Sequence, residues 1–231
     1  MLRTRESFDE QLGQLQQRLL QFGSFVEAML ERAVRALVEQ DVVLAQEVIN
    51  ADDTADDMDL DIEQQCMKLL ALQQPLSRDL RAIGTTMKVI ADIERIGDYS
   101  VDIARTAIKL SDHDYFKPLV DIPKMAETVR GMLRRSIEGM VARDLEVEYQ
   151  VVATDDTVDE TWRQLYAELI AIMQEQPDTV PVAVALLLVA RYLERIADHV
   201  ENIAERVVYM ETGHLEELKA HDFKRPAPAT E

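Results

Sequence analysis

Glu94-Arg95-Ile96-Gly97-Asp98 and Glu194-Arg195-Ile196-Ala197-Asp198 each set a Glu and an Asp four residues apart inside an apolar-periodic run. On a helix that spacing stacks both carboxylates on one face, a turn apart. Such a pair is a potential cation site. The same acids could instead pair with Arg95, Arg105, Arg191 or Arg195, stay solvated, or meet a basic partner. The stripe Ile83, Met87, Ile90 leads directly into Glu94 and Asp98, so the acids extend a packing face toward a helix end.

Two further acidic pairs stand upstream, Asp52 with Asp56 and Asp155 with Asp159. Breaks at Gln73-Gln74-Pro75 and Gln176-Pro177-Asp178 place each upstream pair on one arm of a helical hairpin and each Glu-x-x-x-Asp pair on the other. Asp56 lies 19 residues before Pro75 and Glu94 19 after it, while Asp52 and Asp98 both lie 23 away. In the second half Asp159 precedes Pro177 by 18 and Glu194 follows it by 17. Antiparallel packing therefore brings an Asp-x-x-x-Asp face up to a Glu-x-x-x-Asp face twice, and axes about 8–10 Å apart let such carboxylates share an ion. Four crowded acids repel unless protons, arginines or cations compensate. Carboxylate and water ligands, without Cys or a His pair, suit Mg, Mn or Fe better than structural zinc.

Other candidates carry less. His199 neighbours Asp198, but Tyr99 stands at its counterpart; Glu211-x-x-His214 has di-iron spacing but occurs once, at a Gly-containing helix end. Arg78-Asp79-Leu80-Arg81 reads as a helix start that caps itself or meets a partner, and Trp162 reads as core. The sequence has no glycine-rich phosphate loop and no motif pairing a nucleophile with its base.

The elements that carry these residues are all helical: Gly and Pro number seven each, and strand-like alternation bounded by turns is absent. Apolar periodicity predicts one long helix from about Phe8 to Asn50, a second from the acidic cluster Asp52 to Asp57 to about Leu72, and a third from Leu76 to Leu110. After a Pro-containing linker the order returns, with helices from about Met125 to Val152, from Thr154–Asp159 to the break at Pro177, and from Val182 to Met210. Adding 103 maps Met29, Leu30, Asp41, Asp52 and Asp56 onto Met132, Leu133, Asp144, Asp155 and Asp159, and adding 100 maps Glu94, Arg95 and Asp98 onto their second copies. The economical architecture is all-α, two tandem three-helix bundles over residues 8–112 and 124–212, joined by a linker at 113–123 and followed by a frayed tail at 213–231.

Composition narrows the function. At 231 residues the chain can bury a sizeable core, and with Cys66 alone it forms no intrachain disulfide. The apolar run Val182–Ala190 is about half of a membrane-spanning helix, so no membrane insertion is expected. A formal charge of −19 argues against direct nucleic-acid binding and suits cations, basic partners or, most simply, solubility. The Gln-rich start, without an apolar signal core, reads as cytoplasmic.

The two Glu-Arg-Ile-(Gly/Ala)-Asp segments, the preceding Asp-x-x-x-Asp pairs and Gln-Pro-x-x-Arg-Asp-Leu-Arg at Gln74 to Arg81 resemble, in type and order, the PhoU family of phosphate-uptake regulators. The resemblance runs from about Phe8 to Met210. It implies two three-helix bundles and a non-enzymatic, often dimeric adaptor between the ATPase subunit of a phosphate ABC transporter and a sensor histidine kinase, repressing the starvation response when phosphate is plentiful. It also implies divalent or trivalent, multinuclear metal (Fe, Mn or Mg) at Asp52, Asp56, Glu94 and Asp98, with Asp102 adding to that site, and at Asp155, Asp159, Glu194 and Asp198. Asn202 replaces Asp102 and Ala197 replaces Gly97 in the second copy, which implies a weaker or different site there. A carboxylate-bridged metal enzyme and a metal-free acidic scaffold are the rival readings.

Overall fold

The computed structural model describes residues 2–72, 75–215 and 218. Seven α-helices form the two bundles: α1 (Leu2–Glu39), α2 (Val42–Asn50), α3 (Asp52–Leu72) and α4 (Ser77–Leu110), then α5 (Asp121–Ala142), α6 (Leu145–Glu175) and α7 (Val180–Thr212). A single 3₁₀ turn, Pro177–Thr179, joins α6 to α7. Of the expected tail, residues 216, 217 and 219–231 lie outside the described residues, as do Gln73 and Gln74. Non-helical chain spans residues 111–120, and the last three residues of the expected linker, Asp121, Ile122 and Pro123, form the first turn of α5.

The apolar rhythm explains the packing. On α1, Leu15, Leu19, Phe22, Val26, Met29, Leu30, Ala33 and Leu37 are all buried, and each large one contributes about 1.5–3 kcal/mol of burial. The same spacing on α4 and α7 buries Ile83, Ile90, Ile93 and Ile96, and Leu186, Val189, Leu193 and Ile196.

The rhythm misplaced the first turn of each bundle. The expected helix 8–50 ends at Glu39, where Gln40 takes φ 54°; the expected helix 125–152 ends at Ala142, where Arg143 takes φ 58°. Gln40 and Arg143 are repeat counterparts, and the Asp that follows each caps the next helix, Asp41 accepting from the Leu44 N–H and Asp144 from those of Glu146 and Val147. The acidic cluster at 154–159 is therefore interior to α6. At 52–57 it opens α3 after only Ala51, whose φ of −76° is itself helical. Each turn residue also holds the far end of its bundle: Gln40 donates to the carbonyls of Leu110 and His113, and Arg143 to Glu211 at 2.9 Å.

The bundles join through α4 against α7 and α1 against α5, so each seam helix meets its own repeat counterpart. Asp92 meets His199 at 2.9 Å, and the equivalent positions bring Tyr192 to Tyr99 with ring centroids 5.8 Å apart. Glu27 and Glu31 of α1 face Arg134 and Arg130 of α5 at 3.3 and 2.8 Å, again one contact repeated about a pseudo-twofold axis. Arg78 and Arg81 tie the start of α4 to the end of α7 through Glu211 and the Met210 carbonyl. Trp162 is half-buried and packs against the edge of the core. Among the described residues no helix is long and apolar enough to cross a membrane.

Candidate metal centre

The hairpin register holds in both bundles. In the first, Asp52 and Asp56 on α3 confront Glu94 and Asp98 on α4. Burial raises the Asp52 carboxyl, and Asp56 and Asp98 raise it further, while Arg105 opposes them. Glu94 is likewise raised by burial, then by Asp98, Asp56 and Asp59, against Arg95. In the second, burial and then Asp159, Asp198, Glu194 and Asp156 push Asp155 up to about 7. These mutual effects require the acids of both arms to share one surface patch.

Arginines accompany the acids. Arg95 binds Asp98 at 2.7 Å and lies 3.5 Å from Glu94. Arg195 binds Asp198 at 3.0 Å, Arg163 binds Asp159 at 2.8 Å, and Arg191 pairs with Glu194 through Oε1. Glu194 is buried, and its Oε2 makes no hydrogen bond. Among the described residues no three carboxylate, His or Cys groups converge into a ready-made ion cage.

Asp102 pairs at 3.1 Å with Arg105, the arginine that also acts on Asp52, and acts electrostatically on Tyr192 across the seam; Asn202 is exposed. His199 likewise turns to Asp92 rather than to the patch. The Gly97/Ala197 difference is spatially neutral, because a Cβ at Gly97 would meet Ala55 and Val26 at an ordinary 3.9 Å.

The second patch gains acids that the repeat comparison hides. Burial and then Asp155, Glu205 and Asp198 push Glu201 up to about 7, and Glu194, Asp198, Glu201 and Glu205 follow one another at helical spacing along α7. Their first-half counterparts are Val101, which is buried, and Arg105. Spacing along the single helix was the available signal, and looking only for repeated positions passed over it. The second patch is thus the more acidic of the two.

The PhoU domain profile matches twice, over residues 19–107 and 122–207. The chain belongs to the PhoU family. It is 37% identical over 216 residues to a phosphate-specific transport system accessory protein PhoU homolog of Clostridium acetobutylicum, covering 93% of this chain and 99% of that protein. A homolog of the same description from Aquifex aeolicus is 38% identical over 206 residues, covering 89% and 93%. The crystal structure of PhoU from Pseudomonas aeruginosa superposes with a TM-score of 0.86 at 33% identity, over 90% of this chain and all of that one. The phosphate transport system regulatory protein PhoU from Streptococcus pneumoniae gives 0.86 at 30% identity, over 91% and all. The PhoU architecture of two tandem three-helix bundles is therefore that of this chain, with α2 and α3 together forming the arm that α6 forms in the second bundle.

Proposed function

We propose that this PhoU protein is a metal-binding, non-enzymatic accessory regulator of phosphate transport. It acts in the cytoplasm, as a homodimer, between the ATPase subunit of a phosphate transporter and a sensor histidine kinase. The transport role is supported by relatives that match nearly end to end and are named accessory proteins of phosphate-specific transport. The metal role rests on one observation: two acidic helix faces meet in each bundle, so that in the second Asp155, raised first by burial, is raised further by Asp159 on its own helix and by Asp198 and Glu194 across from it.

The residues suit a hard or borderline cation. Their donors are carboxylate oxygens, and Glu194 keeps a buried Oε2 without a hydrogen bond. Asp52, Asp56, Glu94 and Asp98 would hold ions in the first bundle, and Asp155, Asp159, Glu194, Asp198 and Glu201 in the second. A bound cation neutralises the patch and sets the surface offered to partners.

Elemental analysis of protein purified without chelator or affinity tag tests this against the Asp98→Asn, Asp198→Asn double variant at equal helicity. Several transition-metal ions per chain in the parent, lost in the variant together with kinase–transporter coupling, are expected. Coupling retained after the metal is lost would separate the two roles. The arginine partners of Glu94, Asp98, Asp159, Glu194 and Asp198 favour a second reading, in which the acids form a metal-free contact surface. Metal-free protein that still binds its partners would select it.

A further inference from the structure

The acidic patch of the second bundle is one end of a longer surface. Along α6, Asp155, Asp159, Trp162 and Tyr166 succeed one another on a single helical face. Across from them on α7, the line through Asp198, Glu194 and Arg191 continues into Leu188 and Val184. Tyr166 lies 11 residues before Pro177 and Leu188 lies 11 after it, so the two stand level in the hairpin. Tyr166 is 47%, Leu188 45% and Val184 41% exposed. The Trp162 and Tyr166 rings meet edge-on at 5.6 Å, and the Arg191 guanidinium lies 5.7 Å from the Trp162 ring centre.

The fold does not require an apolar strip here. Shifted by 103 and 100, the equivalent positions of the first bundle are Asp59, Glu63, Gly84, Lys88 and Ala91. At those positions the first bundle carries charged and small residues, and its exposed apolar side chains, Leu60, Met67 and Leu80 among them, stand elsewhere. Exposed apolar side chains rimmed by charge mark interaction surfaces, and Trp, Tyr and Arg are the residues that most often carry binding energy.

We infer that the α6–α7 face of the second bundle docks a helical protein segment whose apolar side is flanked by Lys or Arg. Charge complementarity selects that occupant. The strip runs into Asp155, Asp159, Asp198 and Glu201 on a chain of net charge −19, which repels anionic membranes and nucleic acids and attracts a basic helix. An apolar face laid between two helices is a recurrent mode of peptide recognition. The charge part of the inference rests on the metal-free state of these acids, because an ion at the acidic end would neutralise them and compete with the basic flank.

Trp162 is the chain's single tryptophan, so its fluorescence reports the site directly. The probe is an amphipathic Leu/Lys helix of about 18 residues, titrated in chelating buffer beside a Leu/Glu peptide of the same pattern. The Leu/Lys peptide should shift Trp162 emission to the blue and saturate, and the Leu/Glu peptide should not. Leu188→Asp should weaken binding about tenfold or more, as loss of one apolar anchor does. Tyr166→Ser, also at an exposed site, should weaken it in the same direction. Because Leu188→Asp makes the protein more acidic, general charge attraction would instead tighten binding. Unchanged or tighter binding by Leu188→Asp, or binding that leaves Trp162 emission unmoved, would overturn the inference.

Discussion

Glu148 lies wholly inside the second bundle, its Oε2 accepting from the Ser136 hydroxyl at 2.7 Å and its Oε1 without a partner. Burial pushes its carboxyl up to about 8, with Ser136 opposing and Asp144 adding. Its repeat counterpart is Ala45, and Ser136 and Gly139 correspond to Ala33 and Ala36. A Cβ at Gly139 would come within 2.5 Å of Glu148 Oε1, so the three replacements belong together. Because the folded-state value is raised, Glu148 favours the folded state fully only below the ordinary carboxylate range. Stability is then lost as pH rises from that range through about 8, at about 1.4 kcal/mol per pH unit. Glu148→Gln has no proton to lose. It should make the fall in stability between about pH 5 and 8 shallower by that one group's share, leaving the part due to Asp155 and Glu201, and leave the protein more stable than the parent above pH 8, as read by urea unfolding across pH. A variant curve that still fell like the parent's would place the titration elsewhere.

At the scale of elements, the turns at Gln40–Asp41 and Arg143–Asp144 depend on their caps. Asp144→Ala removes the acceptor for the first N–H groups of α6 and should cost about 1 kcal/mol in urea unfolding, with helix content unchanged. The same turns mark where the sequence stopped being legible. Leu37 and Leu44 are seven residues apart, the one wider step in the apolar series, and seven is two helical turns, so the step stays in phase with a continuous helix across the reversal. Neither turn contains Gly or Pro, because Gln40 and Arg143 take left-handed φ themselves. The acids at 52–57 do open α3, where acidic residues are favoured in the first turn, but their counterparts at 154–159 lie mid-helix in α6, turned toward α7. The hairpin register survived both errors, since it needed only the turns at Pro75 and Pro177. That is why the register brings Asp52, Asp56, Glu94 and Asp98 to one patch, while the repeat carries no signal for Glu201. Its counterpart, Val101, carries no charge, so nothing in the repeat pointed to it.

The whole molecule behaves as a dimer made from one chain, and its seam shows how two similar halves are held in a single arrangement. A twofold seam between identical helices would set like charges against each other. Here α1 supplies Glu27 and Glu31 and α5 supplies Arg130 and Arg134 at the equivalent positions, so α1 is complementary to α5 and repels a second α1. Arg130 is the centre of this set, binding Glu27, Glu31 and Glu127 at 3.3, 2.8 and 3.0 Å with its side chain 18% exposed. Arg130→Glu would crowd four acids at the seam and should cost on the order of 2–3 kcal/mol. The loss should appear as separate unfolding of the two bundles in urea, partly reversed by salt, because the packing inside each bundle is untouched. Inverting all four charges, Glu27→Arg, Glu31→Arg, Arg130→Glu and Arg134→Glu, should recover a single cooperative transition. A single transition already intact in Arg130→Glu would show that the α4–α7 contact, with Asp92 on His199 and Tyr99 on Tyr192, couples the halves without help from the charges of α1 and α5.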